Sequence, residues 1–293
     1  KISWPKPNKS NKEKFVLSNL RKKMRILITN DDGINAPGLK VAKKIAKSII
    51  GNKKGEITII APSSEKSGVS HSISFVRPSL IQKINKNKYS LEGTPADCIL
   101  AGLNYVMKNK KPDLIISGVN LGRNISDDIL YSGTVGAAME GALNGIKSIA
   151  LSQQYSKKTY KSDNPFKCAL KYGTDICNKI LNDNPFSNPK FTGFYNVNFP
   201  ACSSKEVNGH KICNIGQRKR PTFTMVAQSN TKNRNFLWIK HNLQKLDPFV
   251  EMDEYYLNKN YITISALKTD LTWIEKNKEL NKIFKMKKGT KHY

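Results

Sequence analysis

"MRILITNDDGINAPGLKVAKKIAKSII" occupies residues 24–50 and reads as strand, turn and helix in direct succession. The apolar run MRILIT (24–29) has the length and branched side chains of a buried strand. From Gly38 onward Leu39, Ala42, Ile45, Ala46 and Ile49 recur at helical spacing, which predicts a helix over 38–50. Between the two, Asp31 and Asp32 stand side by side where the strand runs out. A cluster of Asn, Asp and Gly makes a turn without any further function. Its meaning therefore depends on what the rest of the chain brings beside it.

The same rhythm continues outward. EITIIAP (56–62) is a second strand ended by Pro62, and 73–92 reads as a hairpin or an excursion. TPADCILAGLNYVM (94–107) opens like a helix, with Thr at the N-cap, Pro at the first helical position and Asp three residues past the cap. DLIISG (113–118) is a third buried strand, GTVGAAMEGALNG (133–145) a helix of small residues, and SIALS (148–152) another strand. A helix at about 163–181 and a strand GFYNVNFP (193–200) follow. Short apolar strands alternating with helices imply an α/β, Rossmann-like fold, its sheet mostly parallel and covered on both faces. After Pro200 the segments KICNI, FLWIK and YITISAL read as strands of a second, antiparallel or extended region, with a terminal helix at about 272–286. The expected division is a basic appendage over 1–23, a catalytic domain over 24–200 and a β-rich extension over 201–293.

Among the 293 residues no stretch reaches the roughly 18 consecutive apolar residues of a membrane-spanning helix. Five cysteines form an odd set with no CxxC pair, which argues against a disulfide framework or zinc site and for a reducing cytoplasm. The net charge of +28 invites a nucleic-acid reading. Much of that charge sits at the ends: residues 1–23 hold eight Lys and Arg against one Glu, and residues 276–293 seven Lys against one Glu. The chain is also rich in Asn, the mark of a compositional bias, and shows no zinc finger, basic amphipathic helix or RNP-type aromatic pattern. No dedicated nucleic-acid site is expected. Residues 1–23 lack the apolar core of a secretory signal, and Met24 is a plausible start.

Ligands of open parallel sheets bind beyond the carboxyl ends of the strands. Asn30, Asp31, Asp32 and Gly33 follow the first strand, and Ser67, Gly68 and His71 lie after the second. Asn120 and Asn124 follow the third, and Ser132-Gly133-Thr134 opens the small-residue helix. Two carboxylates, a hydroxyl and an amide oxygen form an all-oxygen set suited to Mg²⁺ or Mn²⁺. Asp31 and Asp32 can address one ion only if the chain turns there, and Gly33 permits the turn. Free N–H groups and hydroxyls at the Ser-Gly-Thr helix start make a phosphate cradle. A hard cation beside an anion site points to metal-assisted hydrolysis of a phosphate ester.

With these residues assigned, the chain resembles the SurE family of metal-dependent nucleotidases. The matching blocks are MRILITNDDGINAPG (24–38), APSSEKSGVSHSIS (61–74), GTPADC (93–98), PDLIISGVNLGRN (112–124) and DDILYSGTVGAAMEGA (127–142), with weaker similarity in NVNFP (196–200) and YITISALKTDLT (261–272). The resemblance implies one divalent cation per subunit on Asp31, Asp32, Ser67 and Asn120, with Asp31 and Asp32 as the catalytic pair. It places Asn124, Ser132, Gly133 and Thr134 on the phosphate. It also implies hydrolysis of nucleoside 5′-monophosphates, activity on 3′-monophosphates and short polyphosphate in some members, and a C-terminal extension that exchanges segments in dimers or tetramers. Departures from the family pattern are Arg123 in place of a Pro, Lys66 where Arg is common, Asn260 in place of a Gly, and Lys268 near a position that is often His. Arg123 would add charge close to the phosphate. His71 is given no role, and Cys98 reads as core rather than nucleophile. The competing reading is a nucleotide- or RNA-binding module with a structural metal loop. A phosphatase forming an aspartyl-phosphate is disfavoured, because that class spaces its acids as DxD.

Overall fold

The computed structural model describes residues 23–161, 164–182, 193–218, 223–229, 234–241 and 250–284. The expected appendage over 1–23 lies outside the described residues except for Lys23.

Strand β1 (Met24–Thr29) sits at the centre of a nine-stranded sheet. Its neighbours are β2 (Gly55–Pro62) and β5 (Leu114–Leu121), both parallel to it. Beyond β2 lie β4 (Lys88–Leu91), parallel, and β3 (Ile81–Asn85), antiparallel, so the segment read as a hairpin or an excursion contains a hairpin. Beyond β5 lie β6 (Ser148–Gln153) and β7 (Gly193–Phe199), both parallel. The chain winds away from β1 through β2 and then returns on the other side of it at β5. The crevice between the ends of β1 and β5 is therefore the topological switch point, where open α/β sheets bind ligands.

Helix α1 (Pro37–Ile50) buries Leu39, Ala42, Ile45, Ala46 and Ile49, the positions set by the sequence periodicity. Together with α5 (Lys167–Asn182) it covers the face bearing Ile26, Ile28, Ile116 and Val197. On the opposite face α2 (Pro95–Ala101) packs over Leu27, Ile60 and Ile115, and α3 (Gly133–Leu143) over Ala150 and Phe194. Each fully buried aliphatic side chain of this double layer contributes about 1.5–3 kcal/mol. The N-terminus of α2 forms a capping box: Thr94 Oγ1 accepts from Asp97 N–H at 3.1 Å, and the Asp97 carboxylate accepts from Thr94 N–H at 2.8 Å. Cys98, on α2 itself, is fully buried against the sheet, and burial pushes its thiol well above the usual range, as befits a core residue. A single turn, α4 (Lys157–Tyr160), precedes α5.

The region after Pro200 differs from the sequence expectation. Strand β8 (His210–Ile212) and strand β11 (Ile262–Lys268) do not form a separate sheet but extend the central one, β11 antiparallel to β7 and β8 parallel to β11. Among the described residues only β9 (Phe223–Ser229) and β10 (Asn235–His241) stand apart, as a two-stranded antiparallel ribbon. Helix α6 (Asp253–Asn258) leads into β11, and α7 (Ile274–Ile283) follows it. The reason is burial. Ile262 and Ile264 face the same core as Val197, so β11 shields an edge that β7 would otherwise expose. Among the described residues no helix is long and apolar enough to cross a membrane.

Candidate active site

Asn30, fully buried at the end of β1, closes the turn by donating from Nδ2 to the Gly33 carbonyl at 3.1 Å. Gly33 has φ +97°, and a Cβ there would meet the backbone carbon of Ser64 at 3.2 Å, so both conformation and space require glycine. The turn sends the two carboxylates in different directions. Asp31 reaches the N-terminus of α3, where its carboxylate accepts from Thr134 N–H at 3.0 Å and from Thr134 Oγ1. Asp32 reaches the end of β5, where its carboxylate accepts a longer bond from Leu121 N–H at 3.3 Å. The pair thus bridges the switch point.

Burial pushes the Asp31 carboxyl above the usual carboxylate range, although the Thr134 bonds pull the other way. Burial and the neighbouring Asp31 charge push Asp32 up to about 7. Among the described residues no Lys, Arg or His pairs with either one. Two partly desolvated carboxylates without a counter-charge are costly unless something neutralises them. A third acid adds to the problem: the Glu65 charge pushes both Asp31 and Asp32 upward. Sequence reading passed over Glu65, although it lies in the quoted block 61–74.

Ser67 lies on the exposed loop after β2, its Oγ donating to Glu65 Oε1 at 2.6 Å. The loop is tied to the aspartate pair one residue earlier, through Lys66 N–H to the Asp31 carbonyl at 2.8 Å. Asn120 follows an irregularity in the β5–β6 register between Ser117 and Asn120. Its Nδ2 donates to the Gly122 carbonyl at 3.1 Å, which leaves Oδ1 with no hydrogen bond among the described residues. An open amide oxygen beside unneutralised carboxylates is the donor set a hard divalent cation takes. Among the described residues no group of three His, Cys, Asp or Glu side chains is placed to hold a metal, so a cation here would rely on two carboxylates and neutral oxygens. The residues present fit such an ion.

The Ser-Gly-Thr helix start is less open than expected. Ser132 Oγ caps α3 by accepting from Val135 N–H at 3.1 Å, and Thr134 N–H is taken by Asp31. Only Gly133 N–H has no acceptor among the described residues. The helix dipole acts first on Asp31. Asn124 is 6% exposed and held by its own backbone as well as its side chain, through partners on β6 and β7. Arg123 pairs with Glu254 of α6 at 3.0 Å. His71 on the loop after β2 bonds Glu140 of α3 through Nε2 at 2.6 Å, a contact whose only sequence signal was that both residues lie in the matching blocks.

An acidic, oxygen-lined crevice at the switch point of a doubly wound sheet, beside a helix N-terminus, is the ligand-binding edge of an α/β protein. The comparisons with known proteins specify it. The Survival protein SurE profile matches residues 26–222. A 5′-nucleotidase SurE of Roseobacter denitrificans is 43% identical over 249 residues, 85% of this chain and 95% of the relative. The protein of the same name from Jannaschia sp. is 44% identical over 251 residues, with the same coverage. The crystal structure of the SurE protein from Aquifex aeolicus superposes with a TM-score of 0.73 at 32% identity, covering 88% of this chain and 99% of that one. The chain belongs to the SurE family.

Proposed function

We propose that the protein hydrolyses the phosphate monoester of nucleoside 5′-monophosphates, with 3′-monophosphates and short polyphosphate as further candidates. The observation that carries this reading is the Asp31–Asp32 pair, desolvated by burial, without a cationic partner among the described residues and set between the ends of β1 and β5. The relatives' name, 5′-nucleotidase, supports the substrate class. Asp31, Asp32, Asn120 and Ser67 would hold a divalent cation, Mg²⁺ or Mn²⁺. When bound, such an ion draws charge from a phosphoryl oxygen and makes water acidic enough to attack at neutral pH.

The chain's own groups do the rest. Asp32 offers Oδ1, the oxygen that Leu121 does not occupy, to orient the attacking water. Thr134 holds Asp31 in place through two hydrogen bonds. Gly133 N–H and the second amide hydrogen of Asn124 are the donors available to phosphoryl oxygens, while Ser132 serves them by capping α3. The test is direct. Purified protein with Mn²⁺ or Mg²⁺ should release phosphate from a nucleoside monophosphate panel and stop on addition of chelator; metal-loaded protein that binds nucleotide without turnover would make it a binding module instead.

A homodimer or homotetramer belongs to the same reading. Its support is the β9–β10 ribbon, on which Met225, Phe236, Leu237, Trp238 and Ile239 are exposed. A cytoplasmic setting is supported by five cysteines that are all free thiols.

A further inference from the structure

Asn124 takes part in four hydrogen bonds with residues distant in the chain, two donated and two accepted. Its N–H donates to Asn198 Oδ1 at 2.8 Å, and its carbonyl accepts from Asn198 Nδ2 at 2.9 Å and from Asn196 Nδ2 at 2.8 Å. Its side-chain Nδ2 donates to Ser152 Oγ at 2.8 Å. All three partners are buried: Ser152 is 0% exposed, and Asn196 and Asn198 are 1% each. On β7, positions 196 and 198 point to one face of the sheet, and the parallel register sets Ser152 of β6 opposite Asn198. One side-chain amide, Asn198, thus pairs with the N–H and the C=O of a single residue, as a neighbouring strand would.

Such a network is an expensive way to fill a core. Apolar side chains of the same size would stabilise β7 at least as well, because a buried amide only breaks even when its hydrogen bonds are made. Here one is not: Asn196 Oδ1 has no partner among the described residues. The network does supply definition. With backbone and side chain both fixed, Asn124 keeps one amide hydrogen without an acceptor among the described residues, in a loop anchored on each side. Arg123 is held by Glu254, and Ser126 N–H by the Asp253 carboxylate at 2.9 Å.

We propose that Asn196 and Asn198, with Ser152, are positioning residues for the reaction: they clamp Asn124 so that its free amide hydrogen meets a phosphoryl oxygen. The proposal rests on the phosphomonoesterase reading above. It assigns the buried NVN segment of β7 a part in substrate binding that no contact with substrate would reveal.

The test uses the full-length protein with Mn²⁺, adenosine 5′-monophosphate as substrate and inorganic phosphate as a binding probe. Asn198→Ala should raise KM and the phosphate Kd about tenfold, the scale of one lost hydrogen bond to a charged group. Ser152→Ala, which frees only the side-chain amide, should raise both severalfold with a smaller fall in melting temperature than Asn198→Ala, since one buried donor loses its acceptor. Mn²⁺ affinity should stay at the wild-type value in both. If Asn198→Ala fails to fold, Ser152→Ala decides alone. An unchanged phosphate Kd and KM would overturn the clamp and leave the amides as structure only, as would a parallel loss of Mn²⁺ affinity. A wild type that neither binds nor releases phosphate would overturn the phosphomonoesterase reading and the clamp together, whereas an active wild type with indifferent variants overturns the clamp alone.

Discussion

The loop after β1 and the loop after β5 meet across one crevice but are built on opposite terms. The first supplies charge: Asp31 and Asp32, adjacent in sequence, both pushed up by burial and unpaired with any cation among the described residues. The second supplies neutral amides and carries almost no unbalanced charge, because Arg123 is paired with Glu254. The first is held by two hydrogen bonds from Thr134 and one from Leu121. The second is held by β6, β7 and α6, from residues 28 to 127 positions away in the chain. One loop keeps an electrostatic deficit that a cation can fill, and the other keeps a fixed shape. Asp32 is the point of contact, since its carboxylate receives the Leu121 N–H.

If charge is what the first loop contributes, removing it should dominate. Asp32→Asn should lower phosphate release from adenosine 5′-monophosphate by on the order of 10³-fold, the scale of losing one preorganised electrostatic group, while far-UV circular dichroism stays native. Full turnover in that variant would dissolve the contrast.

The charge should also be visible without catalysis. In metal-free protein Asp32 titrates at about 7 folded against 3.8 unfolded, so the folded state binds its proton more tightly. Stability should be highest at or below about pH 4 as far as this group is concerned, fall as pH rises, and level off above about pH 7. The loss is a few kcal/mol at about 1.4 kcal/mol per pH unit. Melts in chelator at pH 5 and pH 8 should show it, and saturating Mn²⁺ should flatten it, adding about 2.7 kcal/mol at a hundredfold excess over Kd. A profile equally steep with and without metal would place the deficit elsewhere.

The second loop should answer to shape. Arg218, 10% exposed, grips both oxygens of Asp128 through its two Nη atoms. Arg218→Ala leaves Asp128 and Glu254 partly buried without it, and a loss of about 3 kcal/mol is expected in urea unfolding, with turnover per folded molecule changed little. Arg123→Ala should cost least, about 1 kcal/mol, because both ends of its pair with Glu254 keep some contact with solvent. Its KM should move less than threefold at constant kcat. A large fall in kcat there would return Arg123 to the phosphate.

Most of the architecture was legible. Strand β1, helix α1 and the capping box of Thr94 and Asp97 rest on periodicities and spacings that complete themselves within about fifteen residues. The eight site residues were legible as candidates because loops after parallel strands open on one edge. Their partners were not. Glu65 and the His71–Glu140 pair were in view as letters, without a signal that they would meet the site or each other. The Ser-Gly-Thr start looked like an open cradle, yet Asp31 takes the Thr134 N–H because the turn at Gly33 delivers it there first. The strands after Pro200 looked separate because their own alternation says nothing about which edge they will join.

By itself the sequence determined the elements, their alternation and the adjacent acids at the end of the first strand, because hydrophobic period and formal charge are local properties of a chain. Tertiary structure alone decided that Asn196 and Asn198 close on Asn124, that Arg123 pairs with Glu254, and that β8 and β11 complete the central sheet. Hydrogen bonds and ion pairs have short reach and exact direction, so their partners are chosen only after packing has brought distant segments within about 3 Å of one another.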